Sequence, residues 1–255
     1  MIEDAEERGL IAAGGTIVEP TSGNTGVALA MLAAVNGYRC VIVMPEGYGK
    51  VKARLMESLG ARVVRTPAQE LMSGAIARAR QIVEDTPGGY MPDQFSNPVN
   101  PRTHYETTGP EIVADLSDPI HAFVAGVGTT GTFTGVARFL AERFAGVRRV
   151  AAEPEGSILG GGPRAPHKVE GVGLSFFPEI LDRGTIDEVV TIPDEEAFET
   201  SRHLAREEGL LVGGSSGMAA AAALRVARRL GPSKTVVTIF PDGAERYPDQ
   251  GIFEK

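Results

Sequence analysis

Short runs of β-branched and other apolar residues alternate along this chain with longer segments whose apolar positions recur at helical spacing. The runs at residues 16–19, 39–44, 62–66, 121–126, 147–153, 188–192 and 235–240 are mostly continuous in hydrophobicity, as strands buried on both faces should be. Between them, a 3.6-residue period predicts helices over residues 26–36, 50–59, 72–85, 130–143, 194–208 and 217–230. In the last of these, Met218, Ala221, Ala222, Leu224, Val226 and Ala227 are expected to form an Ala-rich face that packs closely on a sheet. Strand–helix–strand alternation implies an α/β fold with parallel sheets and right-handed crossovers.

The rhythm breaks at residues 93–102, DQFSNPVNPR, which hold two Asn-Pro dipeptides. A residue before proline avoids the helical region. The segment is therefore expected to be extended or turning, and to be the crossing between a smaller α/β domain over 1–98 and a larger one over 99–255. A second irregular stretch, residues 154–177, is rich in Gly and Pro, and connections of that length usually carry function.

Composition narrows the classes. The chain has 255 residues and a formal charge of −8. The acidic balance argues against nucleic acid or an anionic membrane as main partner, though not against a small anion held at a local site. No apolar run is long enough to span a membrane, and the acidic start MIEDAEERG is not a signal peptide. A cytoplasmic location is the expectation. The single cysteine, Cys40, sits in an apolar run and is expected to be a buried small residue. Metal-ligand spacing is absent, and His104, His121, His167 and His203 are scattered, with surface or structural roles expected.

Three strand-to-helix junctions carry the candidate chemistry. Ligands of open α/β sheets bind beyond the carboxyl ends of strands, where helix N-termini point. The first junction, TSGNTG at residues 21–26, combines first-turn amides with hydroxyls and an amide side chain, a set suited to a carboxylate. Capping by Thr21, Ser22 or Asn24 would account for one such residue but not for six in a row. The second, GVGTTGTFTG at residues 126–135, is a phosphate cradle in kind, yet neither a P-loop nor a dinucleotide fingerprint. In the third, VGGSSG, one serine could cap the helix while the other offers a hydroxyl to a ligand. GGSSG does not match a nucleophile elbow, so a serine nucleophile is not expected.

Together and in this order, the three junctions resemble the fold type II pyridoxal-phosphate enzymes, more narrowly the cysteine synthase and cystathionine β-synthase family. The likeness runs almost end to end, through VEPTSGNTG, VIVMPEG, ARLMESLGA, DQFSNPVNP with TTGPEI, GVGTTGTFTG, AAEPEGS, HKVEGVG, EEGLLVGGSSG and PDGAERY. It implies two open parallel-sheet, three-layer domains like those of the tryptophan synthase β chain, a homodimer, and pyridoxal 5'-phosphate as cofactor. By the same resemblance, Thr21, Ser22, Thr25 and Gln94 would meet the substrate carboxylate, and Asn24 the phenolic oxygen of the cofactor. Gly128, Thr129, Thr130, Gly131 and Thr132 would hold the phosphate, and Ser215 the pyridine nitrogen. A serine there stabilises a protonated ring less than an aspartate would, which favours β-elimination. The implied reaction removes the α-proton and the β-substituent of an O-activated serine, such as O-acetylserine, and adds sulfide or another thiol at Cβ. Serine or O-phosphoserine as first substrate, and homocysteine as nucleophile, stay open. Many cysteine synthases have glycine where this phosphate loop has Thr130. The region 156–173, with Arg164, His167 and Lys168, could meet the second substrate or be a solvated basic loop.

In that family the lysine that carries the cofactor stands in an asparagine- and proline-rich motif ending in Lys-Asp-Arg, which the resemblance places before Met1. None of Lys50, Lys52, Lys168, Lys234 and Lys255 stands in such a context, so no residue here is expected to take the catalytic role. A shortened coding sequence, a fragment, or a lysine-less relative that binds without turnover would each account for this.

Overall fold

The structure, a computed structural model, describes residues 1–253. It divides into two compact units, Met1–Asn97 and a second from Pro98 onward. In the first unit the elements run α1 (Ile2–Glu7), β1 (Thr16–Pro20), α2 (Asn24–Asn36), β2 (Arg39–Pro45), α3 (Lys50–Ser58), β3 (Arg62–Thr66), α4 (Leu71–Glu84) and β4 (Gly89–Tyr90). The four strands form one sheet in the order β3-β2-β1-β4, every pair parallel.

Alternation along these strands feeds two cores. Ile17, Cys40, Ile42 and Met44 pack under α2 and α3 with Val27, Ala30, Ala53 and Met56, while Val18, Val41 and Val43 face Ala75 and Ala79 of α4. Both faces being covered explains why the strands read as unbroken apolar runs. Cys40 is buried as expected, and burial, with the nearby Glu19 charge second, pushes its thiol up to about 11.

The second unit repeats the plan. It contains α5 (Val99–Glu106), α6 (Thr108–Ala114), β5 (Ile120–Gly126), α7 (Gly131–Arg143), β6 (Arg148–Pro154), β7 (Glu188–Ile192), α8 (Asp194–Glu207), α9 (Gly214–Leu230) and β8 (Thr235–Thr238). The sheet order is β7-β6-β5-β8, again all parallel. Ala122, Val124, Val150 and Ala152 pack against α8 and α9, and Phe123, Ala125 and Ala151 against α7. Each unit is thus a three-layer α/β sandwich. Between β6 and β7 the chain has no α-helix or strand, so the irregular stretch expected at 154–177 is present.

Several local expectations shift. Residues 93–102 are not extended throughout: they turn at 94–96, and helix α5 begins at Val99. Pro98 takes the N-cap and Pro101 falls in the first turn, where a missing N–H removes no helical bond. Helix α9 starts three residues before the apolar period shows it, because Gly214, Ser215 and Ser216 are helical without being apolar. Leu224 is exposed, since two residues beyond Ala222 the helix has turned by about 200°.

Candidate functional site

In the first unit β1 leads straight into the TSGNTG loop. Thr21 is tied to the neighbouring strand by its N–H to the Val43 carbonyl, at 2.9 Å. Its hydroxyl oxygen accepts the Gly23 N–H at 3.1 Å. Gly23 is the N-cap of α2, in extended conformation and without any side-chain cap. None of Thr21, Ser22 and Asn24 therefore caps this helix through its side chain, and of the first-turn amides that of Gly26 is bonded to the Gly23 carbonyl at 3.2 Å. Space forces the small residues. A Cβ on Gly26 would lie 2.6 Å from the Met56 terminal methyl, and one on Gly49 2.6 Å from the Ser22 carbonyl oxygen.

Thr25 donates its hydroxyl hydrogen to Gln94 Oε1 at 2.8 Å, across 69 residues. Gln94 is itself held from below. Glu19, the fully buried penultimate residue of β1, accepts the Asp93 N–H at 2.9 Å on Oε2 and the Gln94 N–H at 3.0 Å on Oε1. Asp93 has φ +48°. Two successive amides converging on one carboxyl form a small anion-binding concavity of backbone. Burial raises the Glu19 carboxyl to about 8, with the two amide bonds pulling the other way.

In the second unit β5 ends at Gly126 and the chain turns over the sheet edge. A Cβ on Gly128 would lie 2.4 Å from the Gly171 carbonyl oxygen, and one on Gly131 2.0 Å from Asn100 Oδ1. The backbone contact leaves no room for a side chain at Gly128, whereas one at Gly131 would displace the Asn100 amide. Thr129 Oγ1 accepts the Gly131 N–H at 3.3 Å and the Asn100 side-chain amide at 3.2 Å. Thr130, the N-cap of α7, has φ +73°, a conformation that suits glycine and strains a β-branched residue. It is 3% exposed and its hydroxyl has no protein partner. Thr132 Oγ1 lies 3.0 Å from His104 Nε2, and His104 Nδ1 lies 2.9 Å from Thr108 Oγ1.

Ser215 arrives at the same end of the sheet. A Cβ on Gly126 would lie 3.9 Å from the Ser215 carbonyl oxygen. Ser215 is buried in the first turn of α9, whose N-cap is Gly213 without a side-chain cap. That turn is wedged in place. A Cβ on Gly217 would strike the Ala197 carbonyl oxygen at 2.2 Å, and one on Gly213 would strike Asp242 Oδ1 at 2.4 Å. Tyr247 donates its hydroxyl to Asp242 at 2.5 Å, so the PDGAERY segment braces the start of α9.

These residues fit a phosphate-bearing group. A buried, strained threonine whose hydroxyl is unpaired, at a helix N-terminus reached through Gly128, which has no room for a side chain, suits an anion held by amides and hydroxyls. Ser215, buried near the carboxyl end of the same strand, carries a neutral hydroxyl of the kind that could donate to a ring atom. Elsewhere the expectations thin out. Arg164 and Lys168 are exposed, and His167 Nδ1 lies 3.0 Å from the Val169 carbonyl oxygen. Lys50, Lys168 and Lys234 are exposed, Lys52 is buried, and Lys255 lies outside the described residues. Among the described residues no group of His, Cys, Asp or Glu could hold a metal ion, and no helix is long and apolar enough to cross a membrane. The sequence pattern does not mark His104, Glu19 or Glu153 as site residues. The available signal for the two glutamates was a charged residue followed by proline at the end of an otherwise apolar strand.

Glu153 is the counterpart of Glu19 in the second sheet. Buried on β6, it accepts the Leu159 and Gly160 N–H groups at 3.1 and 2.9 Å and the Thr191 hydroxyl at 3.3 Å.

Comparison with known proteins gives one consistent result. The family model described as pyridoxal-phosphate dependent enzyme matches residues 1–242. The chain is 46% identical over 253 residues to a cysteine synthase of Helicobacter pylori, covering 99% of this chain and 83% of the relative. It is 43% identical over 254 residues to an O-acetylserine dependent cystathionine beta-synthase of Bacillus subtilis, covering 100% and 83%. The crystal structure of an O-acetylserine dependent cystathionine beta-synthase from Helicobacter pylori superposes with a TM-score of 0.93 at 47% identity, covering 99% of this chain and 82% of that one.

Proposed function

We propose a specific β-replacement activity from a plain premise: the chain belongs to the family of pyridoxal-phosphate dependent enzymes. Its near relatives are cysteine synthases and O-acetylserine dependent cystathionine beta-synthases, and the family uses pyridoxal 5'-phosphate. The reading is that this chain takes O-acetyl-L-serine and sulfide to cysteine and acetate.

Each group has a task in this reading. The amides opening α7, with the hydroxyls of Thr129, Thr130 and Thr132, hold the phosphate, and Ser215 donates a neutral hydrogen bond to the ring nitrogen. The bound cofactor withdraws electrons from the substrate α-carbon, so that the α-proton and the β-acetoxy group can depart. The first-turn amides of α2, with Thr21, Ser22, Thr25 and Gln94, bind the substrate carboxylate and set the α-carbon. The Asn24 side-chain amide donates to the phenolic oxygen. The observation that carries this reading is the buried, unpaired Thr130 hydroxyl in a strained backbone at the start of α7. Without an anion there, both the strain and the orphaned group are costs of about 1–3 kcal/mol each with nothing to offset them.

Acetate release from O-acetyl-L-serine, by the purified chain supplied with cofactor, tests the reading. Release that depends on sulfide supports it. Release that depends on homocysteine supports the second reading, a cystathionine-forming enzyme, which is favoured by the 43% and 47% identical relatives of that name. Tight cofactor binding with no release in either case supports a binding role, consistent with three exposed lysines among the four described. Failure to bind the cofactor at all overturns the proposal.

A further inference from the structure

Helix α5 touches two of the three threonines that line the phosphate loop, and in each case it engages the hydroxyl oxygen. Asn100 donates an amide hydrogen to Thr129 Oγ1, which also accepts the Gly131 N–H. With its lone pairs engaged by two N–H groups, the Thr129 hydroxyl hydrogen is left to point elsewhere. His104, one turn further along α5, faces Thr132 Oγ1 from 3.0 Å. The contact is rigid, because Gly135 of α7 lets α5 approach closely: a Cβ there would lie 2.2 Å from the Pro101 carbonyl oxygen and 2.7 Å from His104 Cβ.

The His104 ring sits between two hydroxyls, Thr108 on Nδ1 and Thr132 on Nε2. Burial lowers its pKa from the ordinary value, so near neutral pH the ring is uncharged and carries one N–H. One ring nitrogen must donate and the other accept. Each threonine hydroxyl has a single hydrogen. If Thr132 donates to Nε2, it turns only lone pairs toward the helix start, where an anion would be repelled. If Thr108 donates to Nδ1, the ring hydrogen stands on Nε2 and is given to Thr132 Oγ1, and the Thr132 hydrogen is free.

We propose that His104 is a positioning residue that fixes Thr132 as a hydrogen-bond donor to the phosphate, through a one-way chain from Thr108 to His104 to Thr132 to the anion. Binding of the anion selects the Nε2–H tautomer, and each bond polarises the next in the same sense. The change is a tautomerisation with no net gain or loss of a proton: the Nδ1–H bond breaks, an Nε2–H bond forms by exchange with solvent, and both hydroxyls rotate. This inference rests on the phosphate-loop reading above and goes beyond it by assigning a direction to the Thr132 hydroxyl.

The experiment uses the full chain, with inorganic phosphate and pyridoxal 5'-phosphate as probes. Nitrogen NMR of the His104 ring, recorded with and without saturating phosphate, reads the tautomer directly and needs no variant. Conversion to Nε2–H on adding phosphate is the expected result; a ring that stays Nδ1–H overturns the proposal. Calorimetric titration then compares wild type, His104→Phe and His104→Gln. The Phe variant should bind phosphate roughly tenfold more weakly, the loss typical of one hydrogen bond to a charged group. The Gln variant, whose amide nitrogen can stand where Nε2 stood, should recover most of the loss. Equal binding by wild type and the Phe variant overturns the role of His104 while leaving the phosphate loop intact. Absence of binding by the wild type overturns both.

Discussion

Glu19 and Glu153 occupy the same place in two sheets, one residue before the proline that ends a central strand, and both are buried carboxyls that accept two backbone N–H groups. What they hold differs. Glu153 reaches 6 and 7 residues along its own chain, with the Thr191 hydroxyl as third donor, and braces a local loop. Glu19 reaches 74 and 75 residues, to the amides of Asp93 and Gln94, and thereby sets the side chain that receives Thr25. The same device serves as a loop brace in one unit and as a long-range clasp under the proposed carboxylate site in the other. A buried acid here is worth its desolvation only through what it orders.

The largest expected effect comes from opening the clasp. Glu19→Ala leaves the Asp93 and Gln94 amides without their acceptor, and each such orphan costs about 1–3 kcal/mol. Urea unfolding should show the first unit destabilised by roughly 2–5 kcal/mol; a change below about 1 kcal/mol would mean the clasp is ornamental.

Next is the pH dependence of the intact clasp. Glu19 is raised to about 8 from an ordinary 4.5, so between those values the folded state holds a proton that the unfolded state has released. Its contribution is therefore fully present in acid, is lost as pH rises through this window, and is constant above it. The slope should amount to a few kcal/mol in all and should flatten in Glu19→Gln. A wild-type profile that rises with pH across the same window, with no difference from Glu19→Gln, would contradict this.

Glu153→Ala should cost less, about 1–3 kcal/mol. The residues after Leu159 are exposed, so the freed Gly160 amide can turn to water. Hydrogen exchange should speed up at residues 159 and 160 and stay unchanged in the first unit. Thr25→Val, which removes only the 2.8 Å bond to Gln94, should have the smallest effect, roughly 0.5–1.5 kcal/mol. An effect as large as that of Glu19→Ala would place the clasp at Thr25 rather than beneath it.

Much of this architecture is readable along the chain, for a physical reason. Strands covered on both faces must be apolar at every position, so β2, with Cys40 to Pro45 all buried, stands out in the sequence. Helix starts slip by two or three residues at α2 and α9, because Asn24, Gly214 and Ser215 join the helix without belonging to its apolar stripe. Helix α5 was hidden by its prolines, which break helices in the middle but not in the first turn. At the junctions, hydroxyl-rich composition points to TSGNTG and GVGTTG, whereas Gln94 comes only from resemblance and its bond to Thr25 only from the structure. The partners that orient these groups are illegible for a different reason. His104 is 28 residues from Thr132, and Glu19 is 74 from Asp93; a hydrogen bond across such a separation leaves no periodicity. Thr130 is similar: its residue type is visible, but its φ of +73° is not.

Cys40 gives the molecule a built-in gauge. The only thiol in the chain lies on β2 beneath α2 and α3, unreactive both because reagents cannot reach it and because its thiolate is disfavoured. Alkylation of the native protein must therefore wait for the first sheet to part from its helices. Its rate, compared with a global unfolding signal, separates breathing of that unit from events in the second, which contains no sulfhydryl to report.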